Sequence, residues 1–423
     1  MKIQGTSLLT ALCVGAAVLA GSGAAVAQPA PPSSVTSTPF TTPDTDRCPQ
    51  QTTPPAAVDS SEVPAPGSTT PTPLAVPTPA VGGTRLAECG LVLPNGAPAV
   101  PQDISSTAWL VSDLDTGAVL AAKDPHGRYR PASTIKVLLA IVALRTLNLD
   151  TVVTGTQADA NVDGTRVGIG PGGRYTNRQL MQALIMASGN DAAHAIAAQL
   201  GGDDGAVAKM NELAKSLYLL DTRVATPSGL DGPGMSTSAY DLAAAFREAM
   251  TIPLFAELVH TEQVDFPGYP KDPEIPDDQD HPGFVIANDN HLLYNYEGAI
   301  GGKTGFTDDS RHTFVAAAER DGRRLCITLL AGEVKPIRPW QQAARLLDYA
   351  FALPRTAEVG DLPSRNGHAP DPTAALASPP PKHEAAPEGD SGGSGLRTVL
   401  LAAGILAVLA LVLYVHRLTS RRR

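Results

Sequence analysis

The 423-residue sequence predicts an α+β fold, in which strands from both ends of one domain form an antiparallel sheet with helices around it. Residues 108–114 and 118–121 are largely apolar and predict two strands, since the Asp115-Thr116-Gly117 stretch between them is typical of a tight turn. Residues 299–331 predict further sequential strands at the other end of the domain. Between these two groups, the apolar residues recur with helical spacing.

Local signals place the helices in order. Residues 133–147 are an apolar helical run that starts directly after Pro131 and Ala132. Thr176 followed by Gln179 matches a capping box, so a helix is predicted to begin there and to run to about Ala187. Further helices are predicted over residues 191–200, near residues 204–218 and 238–250, and over residues 340–352.

The ends of the chain do not have the composition of a folded domain, which is predicted to span residues 84–355. Residues 1–27 are predicted to be a secretory signal, cleaved or retained as an anchor, with Lys2, an apolar stretch and a small-residue cleavage site. Residues 28–83 are rich in Pro, Thr, Ser and Ala. They are predicted to be disordered, because they have too few large apolar side chains to offset the entropy of ordering.

A membrane anchor is predicted at the C-terminal end. Residues 356–396 have the composition of a flexible tether. Residues 397–416 are predicted to form a transmembrane helix, because they contain an uncharged apolar run of 18 residues. The basic tail at residues 417–423 favours the cytoplasmic side, so the folded domain is expected outside the membrane.

Charge and cysteine content narrow the possible partners. The formal net charge of −10 argues against a nucleic-acid partner, which requires a basic surface. Cys48 and Cys89 lie in the exported N-terminal region, where disulfides persist, and are predicted to pair. Cys326 lies in an apolar strand and is predicted to be a buried free thiol. No cysteine and histidine cluster has zinc-site spacing, so no metal is predicted.

Three short stretches carry the chemistry: Ser133-Thr134-Ile135-Lys136, Ser188-Gly189-Asn190 and Lys303-Thr304-Gly305. A serine hydroxyl becomes a useful nucleophile when a neighbouring group takes its proton. Residues three apart on a helix share a face, which places Lys136 beside Ser133. A lysine surrounded by protein can lose its proton and act as that base. The helix start also offers free N–H groups where an oxyanion could form.

Each stretch alone also has an ordinary structural explanation. Ser133 and Lys136 could be a serine near a helix start and a solvated lysine, and Ser188-Gly189-Asn190 could be a plain helix end. Lys303-Thr304-Gly305 lies on a predicted strand, where an exposed edge lysine is common, although Gly305 would let a ligand approach the backbone closely. Found together, the three stretches predict a serine acyl-transfer site with a lysine base.

The combination resembles the low-molecular-mass penicillin-binding D-alanyl-D-alanine carboxypeptidases, which carry S-x-x-K with K-T-G. The resemblance implies the serine β-lactamase/DD-peptidase fold, an antiparallel sheet flanked by helices plus an all-helical subdomain. The likeness extends over about residues 104–352 and includes residues 130–136, 188–192, 226–230, 288–293 and 302–307.

The resemblance also implies roles for the first two stretches. Ser133 would attack the carbonyl between two D-alanines and become the acyl-enzyme, and Lys136 would take the proton of Ser133. Ser188 and Asn190 would relay the proton and hold the substrate amide.

The third stretch is implied to bind the substrate. Lys303 and Thr304 would hold the terminal carboxylate, and Gly305 completes the motif. The backbone N–H groups of Ser133 and Phe306 would form the oxyanion hole.

The implied activity is a serine-type carboxypeptidase without a cofactor. It would remove the terminal D-alanine from peptidoglycan stem peptides ending in D-Ala-D-Ala, with β-lactam antibiotics as covalent inhibitors. An endopeptidase acting on cross-links and a weak transpeptidase remain alternatives, because the three stretches do not encode the acceptor. A non-catalytic sensor of D-alanyl ends would not need all three stretches intact. A class A β-lactamase is disfavoured, because no glutamate between Ser188 and Lys303 has an asparagine four residues later.

Two positions depart from the family pattern. Phe306 stands where histidine is frequent, which matters little when only the backbone acts. Glu333 stands about where many members have a carboxylate-binding arginine, so the sequence does not identify that arginine.

Overall fold

A computed structural model describes residue 40 and residues 42–364 of the chain. The strands of its central sheet are β1 (Leu91–Val92), β2 (Ala108–Asp113), β3 (Ala118–Lys123), β8 (Ala299–Thr307), β9 (Arg311–Arg320), β10 (Arg323–Gly332) and β11 (Gly360–Asp361). Their order in the sheet is β1-β3-β2-β10-β9-β8, and β11 also pairs with β3. Every pairing in this sheet is antiparallel.

Helices cover both faces of the sheet. Side chains along β2 point alternately to the two faces, so almost every residue of this strand is buried. Leu110 packs in one apolar cluster with Leu138 and Phe246. Trp109, the preceding residue, points to the opposite face and packs in a second cluster with Leu346. The helices are α1 (Lys136–Thr146), α2 (Gln157–Ala160), α3 (Asn177–Met186), α4 (Asn190–Gln199), α5 (Gly202–Ser216), α6 (Ala239–Ala249), α7 (Pro253–His260), α8 (His291–Asn295) and α9 (Pro339–Phe351).

The antiparallel sheet and the helices between its two halves confirm the predicted α+β class. The predicted capping box is present, with Thr176 accepting from the backbone N–H of Gln179 and the Gln179 side chain accepting from that of Thr176. The subdomain between the two halves is not all-helical, however, because it also contains two short antiparallel pairs. These are β4 (Val152–Thr154) with β5 (Arg174–Thr176), and β6 (Gln263–Phe266) with β7 (Phe284–Ala287).

The folded domain also extends beyond the predicted end at residue 355. The backbone N–H of Val359 donates to Val119 O at 2.8 Å, and that of Leu362 donates to Gly117 O at 2.8 Å. These bonds attach β11 to the part of β3 that β1 does not cover, which satisfies backbone groups that a sheet edge would otherwise leave to solvent.

Residues 42–83, here called the N-terminal strap, follow a defined path along the domain, so the prediction of disorder does not hold for them. Their backbone carbonyls accept hydrogen bonds from buried cations of the domain. Arg128, with only 1% of its side chain exposed, donates to the carbonyls of Thr52, Leu74 and Ala75. Composition predicted disorder because the strap has few large apolar side chains, but charge-assisted hydrogen bonds to its backbone provide an alternative source of order.

A disulfide joins Cys48 of the strap to Cys89, the pair predicted from the exported context. Cys326 is buried and unpaired on β10. The predicted signal (residues 1–27), most of the tether (residues 365–396), the predicted span (residues 397–416) and the basic tail lie outside the described residues. Within residues 40 and 42–364, no helix combines the length and the apolar character needed to cross a membrane.

Loss of the disulfide is expected to destabilise the fold. Cys48 and Cys89 are 41 residues apart. A loop of about this length predicts a loss of roughly 4 kcal/mol in the free energy of unfolding when the bond is removed. Urea unfolding of the Cys48→Ser/Cys89→Ser variant, compared with oxidised wild type, measures this loss. Peptide mass mapping without reductant should recover the linked peptides, and two free thiols would contradict the pairing.

Candidate active site

The backbone brings Ser133 and Lys136 together within a single turn. A 3-10 helix over Ala132–Ile135 runs directly into α1, which starts at Lys136. This places the amine Nζ of Lys136 2.8 Å from Oγ of Ser133, within hydrogen-bond distance. The turn begins at Ala132 with a φ of 47°, a left-handed conformation that costs a non-glycine residue free energy and must be held by its surroundings.

Lys136 is fully buried, and its amine also donates to two other segments. Nζ donates to the side-chain oxygen of Asn190 at 2.7 Å and to the backbone carbonyl of Ser228 at 2.6 Å. Burial, with a further contribution from the charge of Lys303, holds the pKa of Lys136 well below its ordinary value. A buried amine with a depressed pKa can take the proton of the neighbouring hydroxyl.

Ser188 and Asn190 occupy different positions in the site. Ser188 has a φ of 61° at the break between α3 and α4, and it lines the same cavity as Ser133. Asn190 is the first residue of α4, and its amide nitrogen donates to the carbonyl of Asp163 at 2.8 Å. Because the oxygen of Asn190 accepts from Lys136, both ends of this amide are already engaged within the protein. The geometry therefore favours a role in orienting Lys136 over a direct contact with substrate.

Lys303 and Thr304 lie on β8, the edge strand next to the 3-10 turn, and both contact Asp289. The Thr304 hydroxyl donates to the Asp289 carboxylate at 2.8 Å, and Lys303 Nζ lies 3.4 Å from the same oxygen. Lys303 is fully buried, and burial lowers its pKa despite the nearby carboxylate. The sequence predicts no role for Asp289, which there is only part of the family likeness at residues 288–293.

Gly305 leaves room for the nucleophile. A Cβ at this position would lie 2.9 Å from the backbone nitrogen of Ser133 and 2.4 Å from the hydroxyl of Thr313, so a side chain cannot be accommodated without movement. The backbone of β8 therefore passes directly beside the start of the nucleophile's turn. Phe306, the next residue, is half exposed and lines the cavity.

A cavity of about 740 Å³ opens over Ser133 and continues past the end of β10. Its far side is lined by Lys335, Arg338 and Trp340, around the start of α9. Glu333 instead forms a surface ion pair with Arg311 at 2.8 Å. The cationic side chains expected about position 333 are thus Lys335 and Arg338, a few residues later in the chain. The Arg338-Pro339 pair, a helix-start signal close to the end of a strand, could have indicated them.

One cluster elsewhere has the donor set of a metal site, but its atoms are already engaged. The donor atoms of His126, Asp221 and Asp241 lie within 4.8 Å of one another. Nδ1 of His126 lies 2.7 Å from Asp221, whose other oxygen pairs with Arg128. Asp241 accepts from the backbone N–H of Asp221 and from the hydroxyl of Thr222. These contacts make the cluster a buried hydrogen-bond network.

Comparison with known proteins agrees with this geometry. The peptidase family S11, described as D-alanyl-D-alanine carboxypeptidase, matches residues 95–333. The D-alanyl-D-alanine carboxypeptidase DacB2 of Mycobacterium tuberculosis is 46% identical over 275 residues, which cover 64% of this chain and 90% of DacB2.

Solved structures show the same fold. A crystal structure of a D-alanyl-D-alanine carboxypeptidase from Mycobacterium tuberculosis H37Rv has a TM-score of 0.59 at 45% identity, covering 64% of this chain and 100% of that chain. The Streptomyces K15 DD-transpeptidase has a TM-score of 0.55 at 29% identity, covering 60% of this chain and 100% of that chain. The family match spans more than half of the sequence, so this chain belongs to the D-alanyl-D-alanine carboxypeptidases of peptidase family S11 and is a serine-type hydrolase.

Proposed function

We propose that this chain removes the terminal D-alanine from peptidoglycan stem peptides ending in D-Ala-D-Ala, through an acyl-enzyme on Ser133. The observation that carries this proposal is the buried Lys136 amine, 2.8 Å from the Ser133 hydroxyl and with a depressed pKa. A neutral amine at that distance is a general base for the hydroxyl.

In the first half of the reaction, Ser133 Oγ attacks the carbonyl of the penultimate D-alanine as its proton passes to Lys136. The negative charge that develops on the carbonyl oxygen is stabilised by the backbone N–H groups of Ser133 and Phe306. The peptide bond then breaks, and the leaving amine of D-alanine receives the proton from Lys136 by way of the Ser188 hydroxyl. Asn190 keeps the amine of Lys136 aligned throughout.

In the second half, water attacks the ester carbonyl and gives a proton to the same lysine. The ester bond breaks, and Ser133 Oγ recovers its proton from Lys136. A β-lactam carbonyl would acylate Ser133 by the first half of this sequence, which makes β-lactams covalent inhibitors.

The substrate carboxylate is assigned to the cationic side of the cavity. Thr304 lines this region from β8, whereas Lys303 on the same strand is fully buried, and both residues contact Asp289. Arg338 lines the same cavity, and a guanidinium can bind a carboxylate through two parallel hydrogen bonds. We therefore assign the carboxylate to Thr304 and Arg338, with Lys303 contributing its positive charge.

The proposed location is the outer face of the cell membrane. The predicted signal would export the chain, and the apolar run within residues 397–416 would anchor it. A tether over residues 356–396, whose first residues include β11, would let the domain reach the cell wall.

The nucleophile assignment is tested by covalent labelling. Labelled penicillin should attach to wild-type protein and to Ser216→Ala, an exposed serine on α5, but not to Ser133→Ala. Labelling of Ser133→Ala would refute the assignment. Wild type should release D-alanine from a pentapeptide ending in D-Ala-D-Ala. Activity on a cross-linked dimer alone would assign the enzyme to the endopeptidases.

The carboxylate assignment is tested with Arg338→Gln. Loss of a charge-assisted contact should lower kcat/KM on the free-carboxylate peptide about 10- to 100-fold. The rate on the same peptide with a C-terminal amide should change little. Arg345→Gln on α9, the helix that begins directly after Arg338, is the control, because Arg345 is exposed and pairs with Asp103. An equal loss on both peptides would contradict a carboxylate contact.

Removal of either of two charges near Lys136 should shift the pH dependence of acylation, and the two shifts should have opposite directions. The Asp289 carboxylate raises the pKa of Lys136 and the Lys303 ammonium lowers it. Because the base acts when neutral, Asp289→Asn should move the acidic limb of the acylation profile to lower pH. Lys303→Met should move it to higher pH. Acylation rates at saturating substrate over about pH 5 to 9 measure both shifts. Shifts of the same sign would contradict Lys136 as the base.

A further inference from the structure

The family match begins at residue 95, so the N-terminal strap lies outside it. The strap nevertheless reaches the active site. Its residues 55–62, here called the strap apex, contact two segments that carry site residues. One contains Arg130, just before Ser133, and the other is the turn after β8.

On the first segment, the apex holds Arg130 by a paired ion contact. Nε of Arg130 lies 2.5 Å from one oxygen of Glu62, and a second guanidinium nitrogen lies 2.7 Å from the other oxygen. Arg130 also donates to the Pro55 carbonyl at 2.8 Å, and only 2% of its side chain is exposed. Such a two-point contact with a buried guanidinium fixes orientation as well as distance.

That orientation matters because only two residues separate Arg130 from Ser133. One of them is Ala132, whose left-handed backbone is not a conformation that alanine favours by itself. The carbonyl of Pro131 is held from the sheet side by the Thr313 hydroxyl at 2.7 Å. Glu62 holds the same stretch through Arg130, so two separate anchors fix the residues that lead into the strained turn.

On the second segment, the apex binds Asp309, two residues beyond the end of β8. One carboxylate oxygen of Asp309 accepts from the backbone N–H of Val58, and the other accepts from the hydroxyl of Ser61 at 3.2 Å. The strand that carries Lys303-Thr304-Gly305 and the turn that carries the nucleophile are thus attached to the same eight residues of the strap.

A third segment meets the same junction at Asp231. It belongs to the loop that contains Ser228, whose carbonyl accepts from Lys136. Burial raises the pKa of Asp231 to about 6, with further contributions from the charges of Asp309 and Glu62. The strap apex therefore lies where three site-bearing segments converge.

We propose that Glu62 is a positioning residue for acylation: through Arg130, the strap apex holds the Ser133 turn in register with β8. This inference rests on the proposed acyl transfer and adds a chain-specific element to it. The strap is then part of the working enzyme, since the acylation step depends on it.

The test compares full-length variants by stopped-flow acylation with benzylpenicillin, with rates expressed per titratable active site. Glu62→Gln should lower the first-order acylation constant about 10- to 100-fold, because small displacements of reacting groups cost rates of this size. The dissociation constant of the complex before acylation should stay within about twofold, since the carboxylate-binding side of the cavity is unchanged. Glu62→Asp should recover part of the rate.

Two controls make the outcome decisive. Glu88→Gln removes a carboxylate from an exposed pair with Arg85, and it should leave the acylation constant unchanged. Asp309→Ala removes the second anchor at a surface turn, with the adjacent Asp308→Ala as its matched control. If Glu62→Gln does not fold, Asp309→Ala becomes the deciding variant, because the proposal predicts that Asp309→Ala also slows acylation.

The possible results separate the two hypotheses. Wild-type protein that is not acylated would overturn the proposed function itself. Wild-type protein that is acylated normally, with Glu62→Gln and Asp309→Ala within about twofold of its rate constant, would overturn the positioning role alone. A lower melting temperature with an unchanged acylation constant would show that the strap only stabilises the fold, which also overturns the proposal.

Discussion

The active site depends on the burial of one amine, that of Lys136. A lysine removed from water favours its neutral form, which is the form that can take a proton from Ser133. The amine keeps its alignment because Asn190 and the carbonyl of Ser228 accept from it on other sides. These acceptors come from separate segments, so the helix start, the α3–α4 break and the loop before α6 must all be held in register. The fold has to maintain that convergence.

The central sheet meets part of this requirement. β8 ends the sheet next to the nucleophile's turn, and its glycine at position 305 allows a contact that any side chain would block. An edge strand leaves backbone groups free for a ligand, which suits a site that binds a peptide. The buried Lys303 on this strand also adds positive charge near Lys136 and further favours the neutral base. Binding and base strength are thus coupled through one strand.

Nearby carboxylates partly offset the positive charge of the lysine and arginine side chains around the site. Asp289 contacts both Lys303 and Thr304, while Glu333 pairs with Arg311 at the surface. Arg338 remains in the cavity lining. Electrostatic interactions fall off with distance and are stronger away from solvent, so Asp289 affects the base more than Glu333 does. The same principle gives weight to the buried contact between Glu62 and Arg130, which lies only three residues from the nucleophile.

The features that could be predicted correctly from the sequence are those that depend on neighbouring residues. The helix start at Thr176, the pairing of Ser133 with Lys136 and the sequential strands after residue 299 follow from local hydrogen bonds and side-chain periodicity. The contacts of Asp289, the place of Arg338 in the cavity and the ordered path of the strap required the folded structure. Each of these depends on burial and on charges from distant parts of the chain, which composition and spacing do not encode. A segment poor in apolar residues can still be ordered when buried cations, such as Arg128, bind its backbone carbonyls.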